Sequence, residues 1–242
     1  MKTKHHSMDI DERLETVRRG TEHFAEALAE LYDTDLDGDS LLPGWSRRHV
    51  VAHVGYNALA IARLVDWANT GIETPMYESP EARDNEIDHG AALSARELRR
   101  LFEHSAAELE RAWRGLPDKN WTKQVKTSRG RLIPASETIW MRTREVWIHA
   151  VDLDDGASFD DIPADVLEHV LTDITNTWKD RGDGVGLRLA ATDGAQPVFG
   201  DPSADAEVVS GSLADVAAWA TGRSVDGVTS TAEGLPVAPV WL

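Results

Sequence analysis

Cysteine is absent from all 242 residues. That excludes disulfides, thiolate metal sites and a cysteine nucleophile, so any thiol chemistry must use a thiol from outside the chain. A surplus of positive charge is missing too: 25 Lys and Arg stand against 42 Asp and Glu, a formal net charge of −17. Nucleic acids and anionic membrane surfaces are held by clustered cations, so neither is an expected partner. No apolar run approaches the roughly 20 residues that span a bilayer. The stretch Met1-Lys-Thr-Lys-His-His-Ser-Met8 has no hydrophobic segment and reads as neither signal nor anchor, which leads to the expectation of a cytoplasmic protein. Also lacking are the G-x-S-x-G elbow, the P-loop and the Rossmann glycine fingerprint. Gly182-Asp-Gly184-Val-Gly186 leads into a strand pattern and reads as a turn.

What is present is helical periodicity. Leu14, Val17, Thr21, Phe24, Leu28 and Leu31 recur in steps of three and four and predict a first helix over about 11–32. After a polar link, Pro43-Gly44-Trp45-Ser46 opens a second helix with Ser46 as N-cap, its inward stripe being Val50, His53, Val54, Asn57, Ile61, Leu64 and Val65. Residues 71–90, acidic and with two prolines, read as an irregular excursion, either a lid or a long crossover. Ser94-Ala-Arg-Glu97 matches a capping box and starts a third helix to about Arg114. Residues 116–133 read as extended with a turn at Ser128-Arg129-Gly130, and a fourth helix covers about 134–153. Four amphipathic helices with one long crossover make a bundle, an architecture that commonly holds metals between facing helices. Past Asp154-Asp155-Gly156 the pattern changes: a helix over about 163–180, short strands at 186–191, 196–199 and 206–211, a helix capped by Ser212 and ended by Gly222, and a closing extended segment over 235–242. The expected fold class is therefore α+β in two domains, a four-helix bundle over 1–157 and a small α+β domain over 158–242.

The fourth helix carries Met141-Arg142-Thr143-Arg144-Glu145-Val146-Trp147-Ile148-His149-Ala150-Val151-Asp152, with no Gly or Pro. Glu145 and His149, four residues apart, stand on one helical face, flanked by Ile139, Trp140, Val146 and Trp147. A carboxylate and an imidazole turned inward need a partner, because unpaired buried charge is costly. His53 on the second helix is the natural third ligand. Two histidines and one carboxylate without thiolate suit a catalytic zinc or a non-haem iron(II), and three protein ligands leave a position open. The plainer alternative is an i,i+4 Glu–His pair on a wet surface. His49, one turn before His53, is placed at the same cavity or at solvent. Asp152 either orients a ligand histidine or ends the helix in water. His5 and His6 fall in a tail expected to be disordered, His23, His104 and His169 on faces expected to be solvated, and His89 in the acidic excursion.

Pro43-Gly44-Trp45-Ser46 followed by His53, together with Met141-Arg142-x-Arg144-Glu145-x-x-x-His149-x-x-Asp152, resembles the DinB-like metal-binding bundle superfamily and, within it, the mycothiol-dependent maleylpyruvate isomerases. The likeness covers the whole chain, including a helix-Gly-Arg element at Ala217-Ala-Trp219-Ala-Thr-Gly222-Arg223. It implies a zinc held by His53, Glu145 and His149, and mycothiol, a low-molecular-weight thiol, as cofactor. It also implies isomerisation of maleylpyruvate to fumarylpyruvate. In that reaction a thiolate activated at the zinc adds to the cis double bond, the resulting single bond rotates, and the thiol is expelled. The substrate is a dianion, so cations must hold it in an acidic protein: Arg223 is the first choice, its plainer reading being a surface arginine that caps helix carbonyls, with Arg142 and Arg144, at least one of them read as a surface or salt-bridging residue, flanking the metal helix and the cleft between the domains as the expected site. The expected partners are a small dicarboxylate and a thiol, and the expected state is a monomer. Two other readings use the same residues: a zinc-dependent mycothiol S-transferase for other electrophiles, which calls for a wider and more apolar pocket, and a non-catalytic metal-binding module, against which the intact ligand triplet stands.

Overall fold

The structure, a computed structural model, describes residues 2–195 and 198–241, with side chains from Ile10 onward. These residues form seven α-helices and two small sheets, a mixed α+β protein, and divide into two compact units, 1–156 and 157–242.

In the first unit, α1 (Lys2–Glu30), α2 (Arg47–Thr70), α3 (Pro80–Ala91), α4 (Ala95–Arg114) and α5 (Glu137–Asp152) pack around α2, which touches α3, α4 and α5. The reason lies in composition. Val50, Val51, Val54, Ile61, Leu64 and Val65 are almost wholly buried, each such side chain contributing roughly 1.5–3 kcal/mol of transfer free energy, so α2 is apolar around most of its girth. On α4 the buried set Leu98, Phe102, Ser105, Leu109 and Trp113 is one stripe at helical spacing. Its start has the predicted capping box, Ser94 N donating to Glu97 Oε2 at 3.0 Å and Glu97 N to Ser94 Oγ at 3.3 Å. α1 lies against α5, closely at Gly20: a Cβ there would sit 2.6 Å from Trp147 Nε1 and 2.7 Å from Val146 Cγ2. Only hydrogen at that position lets α1 seat the helix that carries Glu145 and His149. Between α4 and α5, β1 (Gln124–Lys126) and β2 (Leu132–Pro134) form an antiparallel hairpin with Val125 opposite Ile133, and Gly130 turns at φ +80°.

Two sequence expectations change here. The segment 71–90 is not irregular throughout, because Pro80–Ala91 is helical. Ser79 Oγ accepts the Ala82 amide at 3.1 Å, and Pro80 occupies the first turn, where a missing N–H costs nothing. The helix shows no apolar stripe because it is held mainly by Ile87 and by a close approach at Gly90, where a Cβ would meet Ala52 Cβ at 2.7 Å and Tyr56 Cε2 at 2.8 Å. The first helix also begins before residue 11, at Lys2; the side chains of His5 and His6 lie outside the described ones.

The second unit holds α6 (Ala164–Arg181), β3 (Leu187–Ala191), β4 (Val198–Gly200), β5 (Glu207–Gly211), α7 (Leu213–Ala220) and β6 (Thr229–Ser230). The sheet order is β4-β3-β5-β6, with β3 and β5 parallel and the outer pairs antiparallel. β4 returns the chain to the end where β5 begins, so the short link 201–206 replaces the usual helical crossover. Asp201 staples that link by accepting Gly186 N and Ser203 N, both at 2.8 Å. α6 packs on α7, where the Trp178 and Trp219 rings meet edge to face at 6.3 Å. The last strand of the sheet is Thr229–Ser230; the closing segment, described over 235–241, follows without helix or strand, and there Trp219 Nε1 donates to Pro236 O. Residue 242 lies outside the described residues.

Candidate metal centre

The α5 register puts Glu145 and His149 on adjacent turns, and α2 brings His53 from 92 residues away. His53 Nε2 lies 2.8 Å from Glu145 Oε2, and His149 Nε2 lies 3.3 Å from the same oxygen. One donor atom from each of the three falls within 4.8 Å of the others. The two imidazoles meet edge to face, 4.9 Å between centroids at 87°, and Trp45 closes the outer side of His53 at 5.4 Å. Tetrahedral ligands about 2.0–2.1 Å from a zinc stand roughly 3.3 Å apart, so the donor spacing fits one small divalent ion. The donor set, two borderline imidazoles and a hard carboxylate, fits the same kind of ion.

Electrostatics at the triplet follow from burial and mutual contact. Burial works against ionising Glu145, but the hydrogen bonds with His149 and His53 hold its carboxyl well below the usual range. Burial pulls His53 down, keeping its ring neutral as a metal ligand requires, against the opposing pull of Glu145. Burial would pull His149 down as well; its contacts with Asp152 and Glu145 outweigh that and push it up to about 9.

Asp152 is fully buried, and its Oδ2 lies 2.7 Å from His149 Nδ1. A carboxylate there holds a proton on Nδ1 and leaves Nε2 as the nitrogen that faces Glu145 and His53. Asp152→Asn is expected to weaken metal binding by about 10–100-fold while the helical content measured by circular dichroism stays that of the parent, as a competitive chelator titration will read. Unchanged affinity would remove Asp152 from the support of the site.

The other candidates are placed as follows. His49 serves the helix cap, its Nδ1 lying 3.2 Å from Ser46 N and 2.7 Å from Ser46 Oγ, and its Nε2 lies 3.9 Å from Asp88. His23 is not solvated as expected; it is half-buried against the Trp147 ring at 5.1 Å. His89, His104 and His169 are exposed. Arg142 does not offer its whole guanidinium to a ligand. It is buried, and its Nη1 donates to Val54 O at 2.7 Å and Asn57 Oδ1 at 3.0 Å, which locks α5 to α2 one turn from His53. Arg144 Nε lies 3.8 Å from Glu145 Oε1. Arg223 follows Gly222, itself at φ +78°, and its Nη1 donates to Thr221 O at 2.6 Å. Absent from the sequence reading are Tyr77 and Arg83. The charge of Arg83 acts on His53, and Tyr77 is pushed up to about 12 by burial and next by the Glu145 carboxylate. Neither sits in a local motif, so no signal in the sequence marks them.

Residues 17–154 match the family model for the mycothiol maleylpyruvate isomerase N-terminal domain, more than half of the chain. The chain belongs to this family. The likeness extends beyond that domain to whole solved structures. The crystal structure of the mycothiol-dependent maleylpyruvate isomerase superposes with a TM-score of 0.92 at 47% sequence identity, covering 96% of this chain and 97% of that one. A histidine-to-alanine mutant of that isomerase gives the same values. No curated protein matches the sequence significantly.

Proposed function

We propose that the protein is a mycothiol-dependent maleylpyruvate isomerase that uses zinc held by His53, Glu145 and His149. The observation that carries this reading is the convergence of those three side chains, backed by Asp152, in a family member without a single cysteine. We read the four long helices around the site as the DinB-like four-helix bundle, which presents ligands inward from facing helices. Zinc bound there supplies a Lewis acid that lowers the pKa of an added thiol, so that mycothiol thiolate is available near neutral pH to add to the cis double bond of maleylpyruvate and later leave.

The chain's own residues do the rest. Asp152 keeps the proton on His149 Nδ1, Glu145 stays ionised and burial keeps His53 neutral, so those groups are ready to bind, while His149, pushed up to about 9, would release its Nε2 proton as a metal binds. Three protein ligands leave room for an exogenous one, the arrangement of catalytic rather than structural zinc sites. No helix among the described residues is long and apolar enough to cross a membrane.

Arg223 is our choice for binding an anionic group of the reactants. A guanidinium fork meets a carboxylate with two parallel charge-assisted bonds that Lys cannot reproduce. Arg223→Ala is expected to leave zinc content and melting temperature unchanged and to cut kcat/KM at least tenfold, about 1.4 kcal/mol, with Arg223→Lys recovering part. Parent-like kinetics in both variants would remove Arg223 from the role. The reading as a whole is tested by following maleylpyruvate absorbance with the zinc-loaded protein, with and without mycothiol.

A further inference from the structure

We propose that Arg83 is the residue that holds a carboxylate of the substrate beside the metal ligands, with the Tyr77 phenol as its hydrogen-bonding neighbour. This inference rests on the isomerase reading.

The placement comes from how α3 sits on α2. Arg83, Ile87 and Gly90 recur at i, i+4 and i+7 and share one helical face. Ile87 is buried, and Gly90 lies so close to Ala52, the neighbour of His53, that a Cβ would be 2.7 Å from its methyl. The face bearing Arg83 is therefore the face turned to α2. The segment is fastened to α2 at its other end as well: Arg63 donates to Met76 O and lies 3.5 Å from Glu86. Tyr77 directly follows the buried Met76 and is held with it. The reciprocal influence of charges agrees: Arg83 acts on both His53 and Tyr77, and Glu145 on both Tyr77 and Arg142.

Three features suit this neighbourhood to an incoming carboxylate. Among the described residues Arg83 pairs with its neighbour Asp84, at 2.9 Å and with side chains 34% and 67% exposed, a contact weak enough to be given up for a bidentate one. Tyr77 keeps its proton far above neutrality, so it is a donor. Separately, Arg142 Nη2 is fully buried with no hydrogen-bond partner among the described residues, on a side chain that interacts electrostatically with Glu145 and Tyr77. A buried donor without an acceptor is costly, and a ligand oxygen would satisfy it. With Arg142 Nη1 spent on Val54 and Asn57, Arg83 is the cation of this group able to move to a ligand.

The test uses the zinc-loaded full chain with Arg83→Gln, Arg83→Lys and Tyr77→Phe. Zinc content and melting temperature are expected to match the parent in all three. KM for maleylpyruvate is expected to rise at least about tenfold in Arg83→Gln with kcat changed less than about threefold, to be partly restored in Arg83→Lys, and to rise by a smaller factor in Tyr77→Phe. A KM for Arg83→Gln within about twofold of the parent's overturns the proposal and leaves the isomerase reading standing. Calorimetric titration with maleate, a dicarboxylate without the reacting ketone, separates the two ideas. If the parent does not isomerise maleylpyruvate, the isomerase reading fails; the carboxylate site then stands if Arg83→Gln binds maleate at least about tenfold more weakly than the parent, and falls if the two bind alike or the parent binds none.

Discussion

Chains carrying His53→Ala are expected to leave purification with less than about a tenth of an ion, against about one zinc per parent chain, and to lose at least about a hundredfold in kcat/KM. Ligand count sets the size of both effects. Glu145 and His149 sit on one helix, with Nε2 3.3 Å from Oε2, while His53 would be the one ligand from a second helix. Two ligands from a single helix turn hold a small divalent ion far more weakly than three that close on it from two sides. The fold itself does not depend on the metal. The buried valines and leucines of α2 and the Arg142 link to Val54 and Asn57 remain, so the melting temperature of the metal-free variant is expected within about 4 °C of the metal-free parent, a difference on the order of 1 kcal/mol for a chain of this size. Added zinc is expected to raise the melting temperature of the parent and not of the variant, because an ion that binds only the folded state stabilises it by mass action. Full zinc occupancy in His53→Ala, measured by elemental analysis, would take His53 out of the centre.

Turnover is expected to vanish, to within about a hundredth of the full rate, when mycothiol is left out. With no cysteine anywhere in the chain, no protein group can stand in for the missing thiolate, and the remaining nucleophiles are poor ones at neutral pH. The same absence provides a control. An alkylating reagent that consumes thiols is expected to stop the reaction while intact-mass measurement shows no sulfur-alkylated protein, and fresh mycothiol is expected to restore the rate. Undiminished turnover in thiol-free buffer would reject addition and elimination by a thiol and would favour direct activation of water or substrate at the metal.

Much of the site was legible in the chain because it rests on helical repeat. Glu145 and His149 needed only the 3.6-residue period to share a face, and His53 only the apolar company of Val50, Val54 and Ile61 to be turned inward. Ser94 with Glu97 announced a helix start because its capping hydrogen bonds are local. The helix Pro80–Ala91 escaped because its core face is made of one isoleucine and one glycine, which carry no periodic apolar signal. That Arg142 spends one end on Val54 and Asn57 did not show, because a residue's charge is written in the sequence and its burial is not.

The amino-acid sequence by itself determined the chemical inventory. There is no thiol, so the thiol must be borrowed; imidazole and carboxylate stand at i and i+4; and an overall negative charge obliges a dianionic substrate to find local cations. Only the tertiary structure decided which groups meet. It put His49 at the Ser46 cap and His53 against Glu145, although both lie on the same helix one turn apart. It set Asp152 against His149, folded Arg142 into the α2–α5 contact, and seated the helix that carries Arg83 on α2, where Gly90 meets Ala52. The physical reason is range. Caps and helical faces arise from hydrogen bonds and spacings within about one turn, which a chain states residue by residue. The contact of His53 with Glu145 joins residues 92 apart, and its geometry is fixed by how whole helices pack, down to the missing Cβ atoms of Gly20 and Gly90 that allow α5 and α3 to come close enough.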